Sequence, residues 1–458
     1  MKNLNLENIA KAVDGTLYNS GAADGREASA VVIDSRLCEK DCIFVAIKGE
    51  RSDGHSYIKD VFAKGALGVI CEHLPEEGAD GPCIVVESSA VALKKLAAYY
   101  RSGLDIKIVG IVGSVGKTST KEMVAAVLSQ HYNTHKTSGN FNNEIGVPLT
   151  LLAIRDCHEA AVVEMGISDF GEMDRLGAIV RPDAVVMTNI GPCHLEFLHD
   201  LDGVLKAKSE VFKHIAKKGA VFLNGSDEKL MGISEIPDRR IIYYNLPDRG
   251  ISASDINSLG LLGTDFRLNT PVGQRKVHVP LPGAHSVINA QAGAAVGLEF
   301  GLTLDEIAEG IASIKPVKGR GYIVKTKDFL LIDDCYNANP SSMKAAVDLL
   351  QGAIGRKCVI FGDMFELGDD AAELHAQVGR YAAAGGLDLA VFIGELSKNA
   401  YRAYIEEKSP AFYYPSLDGF FDDIGNIPFE KDDNILVKAS HGMHFDKVLD
   451  FFGNNDIL

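Results

Sequence analysis

Gly113-Ser114-Val115-Gly116-Lys117-Thr118-Ser119-Thr120 lies between an apolar run, Ile106-Lys107-Ile108-Val109, and a helical stretch from Lys121 to Gln130. A strand, a glycine-rich turn and a helix, in that order, form a cradle for phosphate. Successive backbone N–H groups and the positive end of the helix converge on one anion. In such a loop Lys117 reaches the β/γ-phosphates of a nucleotide and the Thr118 hydroxyl holds Mg²⁺. Gly113, Ser114, Val115, Gly116, Lys117, Thr118 and Ser119 are therefore expected to bind ATP. The spacing departs from the general phosphate-loop pattern, which would put its first glycine at Ile111.

Outward from this loop the chain repeats one motif: a short apolar strand, a polar or glycine turn, then a helical stretch. That alternation signals parallel α/β domains. With 458 residues and about 150 residues per domain, three domains are expected. The first, 1–103, has strands at Val31–Ile33, Ile43–Ile47, Leu67–Ile70 and Ile84–Val86, closed by a helix from Ala90 to Tyr100. The second, 104–314, carries the phosphate loop and ends with helices over Ser286 to Gly301 and Leu304 to Ile314. The third, 315–458, follows a Lys315-Pro316 linker and has strands at Phe329–Ile332, Cys358–Phe361, Leu389–Ile393 and Ile435–Val437.

The hydrophobic share of 46% and charged share of 24% are those of a globular protein. A net charge of −16 argues against a nucleic-acid binder, which needs a basic footprint on phosphates. The amino terminus lacks the charged-then-apolar pattern of a signal peptide. No apolar run reaches the roughly 18 residues of a membrane helix. Eight scattered cysteines read as reduced, mostly buried thiols, Cys38 and Cys42 lacking the further ligands of a zinc site. These features describe a soluble cytoplasmic enzyme, with no nucleic-acid partner and no membrane insertion.

In an open parallel sheet, ligands sit beyond the carboxyl ends of the strands. Several runs of the second domain end in suitable residues. Ala161-Val162-Val163 ends in Glu164, where a carboxylate would bind Mg²⁺. Ala184-Val185-Val186-Met187 leads through Thr188-Asn189 to His194. Asn224 and Asp227, after Ala220–Leu223, read equally well as strand caps or as site residues. Two further stretches stand out. Thr137 to Gly146 packs three asparagines, Asn140, Asn142 and Asn143, into a loop suited to a polar ligand or to a plain turn. Asp333-Asp334-Cys335-Tyr336-Asn337-Ala338-Asn339-Pro340 pairs two aspartates, which repel unless a ribose, a metal or a basic group satisfies them.

Together these residues resemble the Mur ligases over essentially the whole chain. That family carries Gly-Ser/Thr-x-Gly-Lys-Thr/Ser-Thr/Ser, as at 113–119, in place of the general phosphate-loop spacing. Gly139 to Gly146, Asp333 to Pro340 and Gly362-Asp363-Met364-Phe365-Glu366-Leu367-Gly368 are similar to the branch that joins D-alanyl-D-alanine to UDP-N-acetylmuramoyl-tripeptide. The Asp-Asn-Pro-Arg signature of the diaminopimelate-adding branch is absent.

The resemblance implies an ATP-dependent amide ligase of peptidoglycan synthesis that works as a monomer through an acyl phosphate. It implies a UDP-binding first domain with Ser35, Arg36 and Lys48 at the substrate, a central ATP and Mg²⁺ domain, and a Rossmann-like third domain. Asn140, Asn142 and Asn143 would also meet substrate. Glu164 and His194 would be metal ligands, Lys208 a carbamylated lysine binding a second Mg²⁺, and Asn289 an adenine contact. Arg320 and Asp334 would reach ATP from the linker and third domain. Lys117, His194 and Lys208 would be the catalytic groups. Three positions depart from the family pattern: Val115, Ser286 and His441, the last standing where arginine is frequent.

Read without the resemblance, Lys208 is a solvated lysine on a helical run, Leu205 to Ile215, beside Lys206 and Lys213. Three rival functions stand beside the main one. A related amide ligase with another amino-acid acceptor is opposed by the asparagine-rich and Tyr336–Pro340 segments. A plain phosphate-loop ATPase or kinase would not need the third domain. A non-catalytic binding module would not keep Lys117, Glu164, His194 and Lys208 together.

Overall fold

The structure is a computed structural model that describes residues 1–19, 25–49, 52–75, 78, 80–247, 250–408 and 410–454. Three α/β layers follow one another along the chain, and the middle one holds the phosphate loop.

The central sheet has six parallel strands in the order 240–244, 220–224, 184–187, 107–112, 160–164, 134–136. Strand Lys107–Val112 is central because its side chains are apolar on both faces. Val109 and Ile111 pack towards helices Lys117–Leu128, Ala284–Glu299 and Leu304–Ala312. Ile108 and Val112, alternating with them, pack towards Gly146–Leu152, Glu172–Val180 and Leu201–Ser209. The chain leaves this strand for 134–136 on one side and later for 184–187 on the other. The crevice therefore opens beyond the carboxyl end of 107–112, where the phosphate loop stands.

Helix Lys117–Leu128 starts four residues before the stretch read from sequence, because Gly116 takes a left-handed φ of +81° and Lys117 is already helical. Helix Leu201–Ser209 also begins early. The Asp200 side chain accepts a hydrogen bond from Gly203 N, capping the helix, and a 3-10 turn over Glu210–His214 replaces its expected tail.

The first sheet runs 16–18, 83–85, 68–71, 43–45, 31–32, parallel except for the 16–18 edge. Helix Ser89–Ser102 binds it to the middle layer. Tyr100 Oη donates to Ile154 O at 2.7 Å, and Arg101 Nε to Val180 O at 2.9 Å. The third sheet runs 322–325, 329–333, 433–438, 357–362, 389–393, 411–414, with only 322–325 antiparallel. It has an apolar core on each face.

Edge strands 16–18, 134–136, 240–244, 322–325 and 411–414 went unread in the sequence, as did a whole three-stranded antiparallel sheet, Ser252–Ser258, Thr264–Thr270 and Gly273–Val279. Its signal is the alternation of buried Phe266 and Leu268 with the outward Asp265, Arg267 and Asn269, closed by a Pro271-Val272 turn. All eight cysteines are free. Five are buried, Cys193 and Cys335 half-buried, and Cys157 exposed. No helix among the described residues is long and apolar enough to cross a membrane.

Candidate active site

The phosphate loop is shaped by the end of strand 184–187. Gly113 has φ +149°, and a Cβ there would lie 2.0 Å from Thr188 Oγ1. Only glycine fits. Thr188 Oγ1 donates to Val115 O at 2.7 Å, and Asn189 Oδ1 accepts from Val115 N at 2.9 Å. Ser114 N donates to Asn189 O at 3.0 Å. The amides of Ser114 and Val115 are thus engaged by Asn189. The cradle falls to the first N–H groups of helix Lys117–Leu128, which have no intrahelical acceptor. Thr188 and Asn189 are loop-shaping residues that the sequence reading passed over. Lys117 is half-buried, its Nζ donating to Gly113 O at 2.8 Å and Ser114 O at 3.2 Å. Burial lowers its pKa.

Glu164 ends strand Ala160–Glu164 beside the loop and is 1% exposed. Its Oε1 accepts from Thr118 Oγ1 at 3.2 Å and from Asn142 Nδ2 at 2.9 Å. Its Oε2 is buried without a hydrogen-bond partner, 4.0 Å from the Lys121 ammonium. A buried carboxylate oxygen left open beside a threonine hydroxyl fits a hard divalent cation such as Mg²⁺. Among the described residues no group of three or more His, Cys, Asp or Glu is placed to hold a metal. Such a cation would find Thr118 Oγ1 and the open Glu164 Oε2 side by side.

His194 follows strand Ala184–Met187 and holds a positive φ of 50° at the start of a short helix. Its Nδ1 lies 3.0 Å from the Glu366 carboxylate of the third domain. Burial lowers the imidazole pKa, Glu366 opposes that shift, and the Lys208 and Lys117 ammoniums reinforce it. Lys208 departs from the solvated reading. It is 1% exposed, whereas Lys206 is exposed, its Nζ 5.8 Å from the centre of the Phe170 ring. Burial, and then the Lys117 ammonium, bring the Lys208 pKa down to about 8. Cys193 adds a half-buried thiol here, its Sγ 3.2 Å from Ser114 Oγ.

The remaining expected residues fall into groups. Asn289 Oδ1 accepts from Thr120 Oγ1 at 2.9 Å, joining two helices behind the loop. Ser119, Glu122, His285, Pro316, Arg320 and Leu349 line a cleft between the middle and third domains. Asp334 meets Lys438 Nζ at 2.6 Å, and Asp333 accepts from Gly319 N at 2.9 Å. A basic group and the backbone, respectively, satisfy the two aspartates. Asn224 and Asp227 act as caps: Asn224 Nδ2 donates to Thr188 O, and Asp227 accepts from Leu230 N.

Of the three loop asparagines, Asn142 turns to Glu164. Asn143 Oδ1 accepts from Gly146 N at 2.9 Å, at the start of helix Gly146–Leu152, and Asn140 is exposed. Ser35, Arg36 and Lys48 stand on the first sheet, with local contacts. Arg36 forks onto Asp34 and holds its carboxyl at about 2, Ser35 O accepts from Lys64 Nζ, and Lys48 bridges to Asp53. Tyr336 and Glu366, which approach the site from the third domain, entered the sequence reading only as members of the long motifs, with no role of their own.

Three family models match the chain: the Mur ligase family catalytic domain over 27–101, the Mur ligase middle domain over 111–297, and the Mur ligase glutamate ligase domain over 319–441. The UDP-N-acetylmuramoyl-tripeptide–D-alanyl-D-alanine ligase of Escherichia coli K12 is 38% identical over 80% of this chain and 82% of its own. That of Bacillus subtilis 168 is 34% identical over 97% of each. Among solved structures, MurF from Acinetobacter baumannii superposes with a TM-score of 0.89 at 31% identity, over 99% of both chains. MurF ligase from Thermotoga maritima, in complex with ADP, gives 0.80 at 28% identity over 93% of this chain and 97% of its own. The three-domain α/β architecture and the ATP-dependent ligase class agree with what the phosphate-loop variant and the long motifs implied. The chain belongs to the Mur ligase family.

Proposed function

We propose that the chain joins D-alanyl-D-alanine to UDP-N-acetylmuramoyl-tripeptide, converting ATP to ADP and phosphate and forming the pentapeptide precursor of peptidoglycan. The relatives from Escherichia coli and Bacillus subtilis carry the name of that reaction. The observation that carries the reading is the meeting, at one crevice, of a phosphate-loop lysine, a carboxylate with an open oxygen and a buried lysine of lowered pKa.

A carboxylate is a poor electrophile, so the tripeptide must first be activated. Its terminal carboxylate takes the γ-phosphoryl group of ATP, and the dipeptide amine then displaces phosphate from the acyl phosphate. Two anions approach in the first step, and Lys117 offsets their repulsion. Thr118, Glu164 and His194 would hold Mg²⁺, which supplies charge neutralisation when bound. The low Lys208 pKa supports a carbamate there. Its neutral amine adds to CO₂ with loss of a proton and becomes an anion able to hold a second cation. Ser35, Arg36, Lys48 and Asn140 bind the UDP-linked substrate, and Ser119, Asn289, Arg320 and Asp334 the nucleotide. Asn142 and Asn143 shape the loop between the two. The domains are 1–103 for UDP, 104–314 for ATP and 315–458 for closure over the site. The enzyme acts as a cytoplasmic monomer.

Phosphate release from ATP tests this directly. Turnover should require both the UDP-tripeptide and D-alanyl-D-alanine, and mass spectrometry should find the pentapeptide. Full activity with glutamate or lysine in place of the dipeptide would move the chain to another branch.

A further inference from the structure

Arg320 lies in the linker, but its surroundings belong to the third domain. Gly319 N donates to Asp333 Oδ2 at 2.9 Å, Tyr336 N to Gly319 O at 3.1 Å, and Gly321 N to Asp334 Oδ1 at 3.1 Å. Gly319 has φ +82°, and a Cβ there would come 3.1 Å from Tyr336 Cβ, so the close approach needs glycine. These bonds fasten 319–321 to the segment after strand Phe329–Asp333. Lys438 locks that segment in turn, its Nζ 2.6 Å from Asp334 Oδ2 and 2.9 Å from Asn337 O. Arg320 therefore moves with the third domain, and any swivel lies before it, at the exposed Lys315-Pro316.

On this frame the Arg320 guanidinium stands 4.0 Å over the Tyr336 ring. The Tyr336 ring lies 5.7 Å from that of His441, tilted by 35°. The nearby carboxylates are already taken, Asp333 by the backbone and Asp334 by Lys438. A ring face restrains a long, rotamer-rich side chain without cancelling its charge, which a carboxylate partner would do. Across the crevice, the Arg320 charge contributes to the lowered pKa of Lys117. Burial raises the Tyr336 hydroxyl pKa, the Arg320 guanidinium opposes that shift by charge and by a hydrogen bond, and the Glu164 carboxylate adds to it.

We propose that Tyr336 is a positioning residue for Arg320. Its ring, supported by His441, holds the guanidinium towards the phosphate loop, so that docking of the third domain delivers Arg320 to the transferring phosphoryl group. The proposal rests on Arg320 meeting the ATP phosphates.

A double-mutant cycle in the full-length enzyme separates the two claims. With both substrates present, Arg320→Ala should lower kcat about 10²-fold. Tyr336→Leu should lower it about tenfold with KM for D-alanyl-D-alanine unchanged, and should cost nothing further in the Arg320→Ala background. Tyr336→Phe should recover turnover to within about threefold, because the ring face carries most of the restraint and the hydroxyl contact to Arg320 only the remainder. His441→Ala should fall between wild type and Tyr336→Leu, and melting temperatures should confirm that each variant is folded. Multiplicative losses in the double variant, a raised dipeptide KM, or a Tyr336→Phe as impaired as Tyr336→Leu would overturn the positioning role. Wild-type turnover of Arg320→Ala would instead remove the ATP contact, and the positioning role with it.

Discussion

Lys208→Met should make the protein more stable and almost inactive. The side chain is 1% exposed, and its pKa falls from the usual 10.5 to about 8. A lysine that is harder to protonate folded than unfolded weakens the fold wherever it is charged. Between pH ~8 and ~10.5 the unfolded chain binds more protons than the native one, so stability rises with pH across that window and the penalty is fully present below it. At 1.36 kcal/mol per pKa unit, the penalty at neutral pH is about 3 kcal/mol. Methionine fills similar space without charge. In CO₂-free buffer at pH 7, Lys208→Met should raise the melting transition of the unit formed by the first two layers by roughly 4–5 °C, and the gap should close as pH passes from ~8 to ~10.5. The same shift leaves about a quarter of the Lys208 amine neutral at pH 7.5, against about one part in a thousand for an ordinary lysine. Bicarbonate should therefore stabilise the wild type and leave Lys208→Met unmoved. Scanning calorimetry with matched Lys206→Met controls measures both effects. A Lys208→Met that melts lower than wild type at pH 7, or that shifts no more than Lys206→Met, would refute the argument.

Lys117→Ala should lose at least about 10²-fold in turnover. Its melting temperature should not fall, because burial already disfavours the Lys117 charge and the Nζ bonds to the Gly113 and Ser114 carbonyls. Normal phosphate release would detach the loop from the chemistry. Gly113→Ala should cost about 1–3 kcal/mol in strain and weaken ADP binding in calorimetry, since its Cβ would meet Thr188 Oγ1. Unchanged ADP affinity would show that Thr188 yields without disturbing Val115.

The legible parts of the site lie at the ends of apolar strands. Lys107–Val112, Ala160–Glu164 and Ala184–Met187 are continuous apolar runs, so Glu164 and His194 could be placed beside the loop from pattern alone. Lys208 was misread. Helical spacing puts it on the face of Val204 and Val211, opposite Lys206, but a lysine in an apolar stripe reads as solvated until the packing of helix Leu201–Ser209 shows it buried. Glu366 and Tyr336 were missed for a related reason. Glu366 meets His194 across a domain boundary, and Tyr336 meets Arg320 from a separate segment of the third domain, where no local periodicity reports either contact. The antiparallel sheet over 252–279 was missed although its alternation is present, because the helix–strand rhythm on either side masked a short period-two segment.

Helix Ser89–Ser102 belongs to the first layer by sequence and to the middle layer by packing. Leu93, Leu96 and Tyr100 share one continuous apolar core with Leu4, Ile43, Leu151, Leu176 and Leu223. The third layer, by contrast, encloses its own cores. During synthesis the first layer therefore cannot bury this face until helices Gly146–Leu152 and Glu172–Val180 have left the ribosome. At translation rates of roughly 5–20 residues per second, that leaves a sticky apolar surface waiting on the order of ten seconds. The first two layers mature as one unit, and the nascent chain is most in need of a chaperone while the phosphate loop is being made.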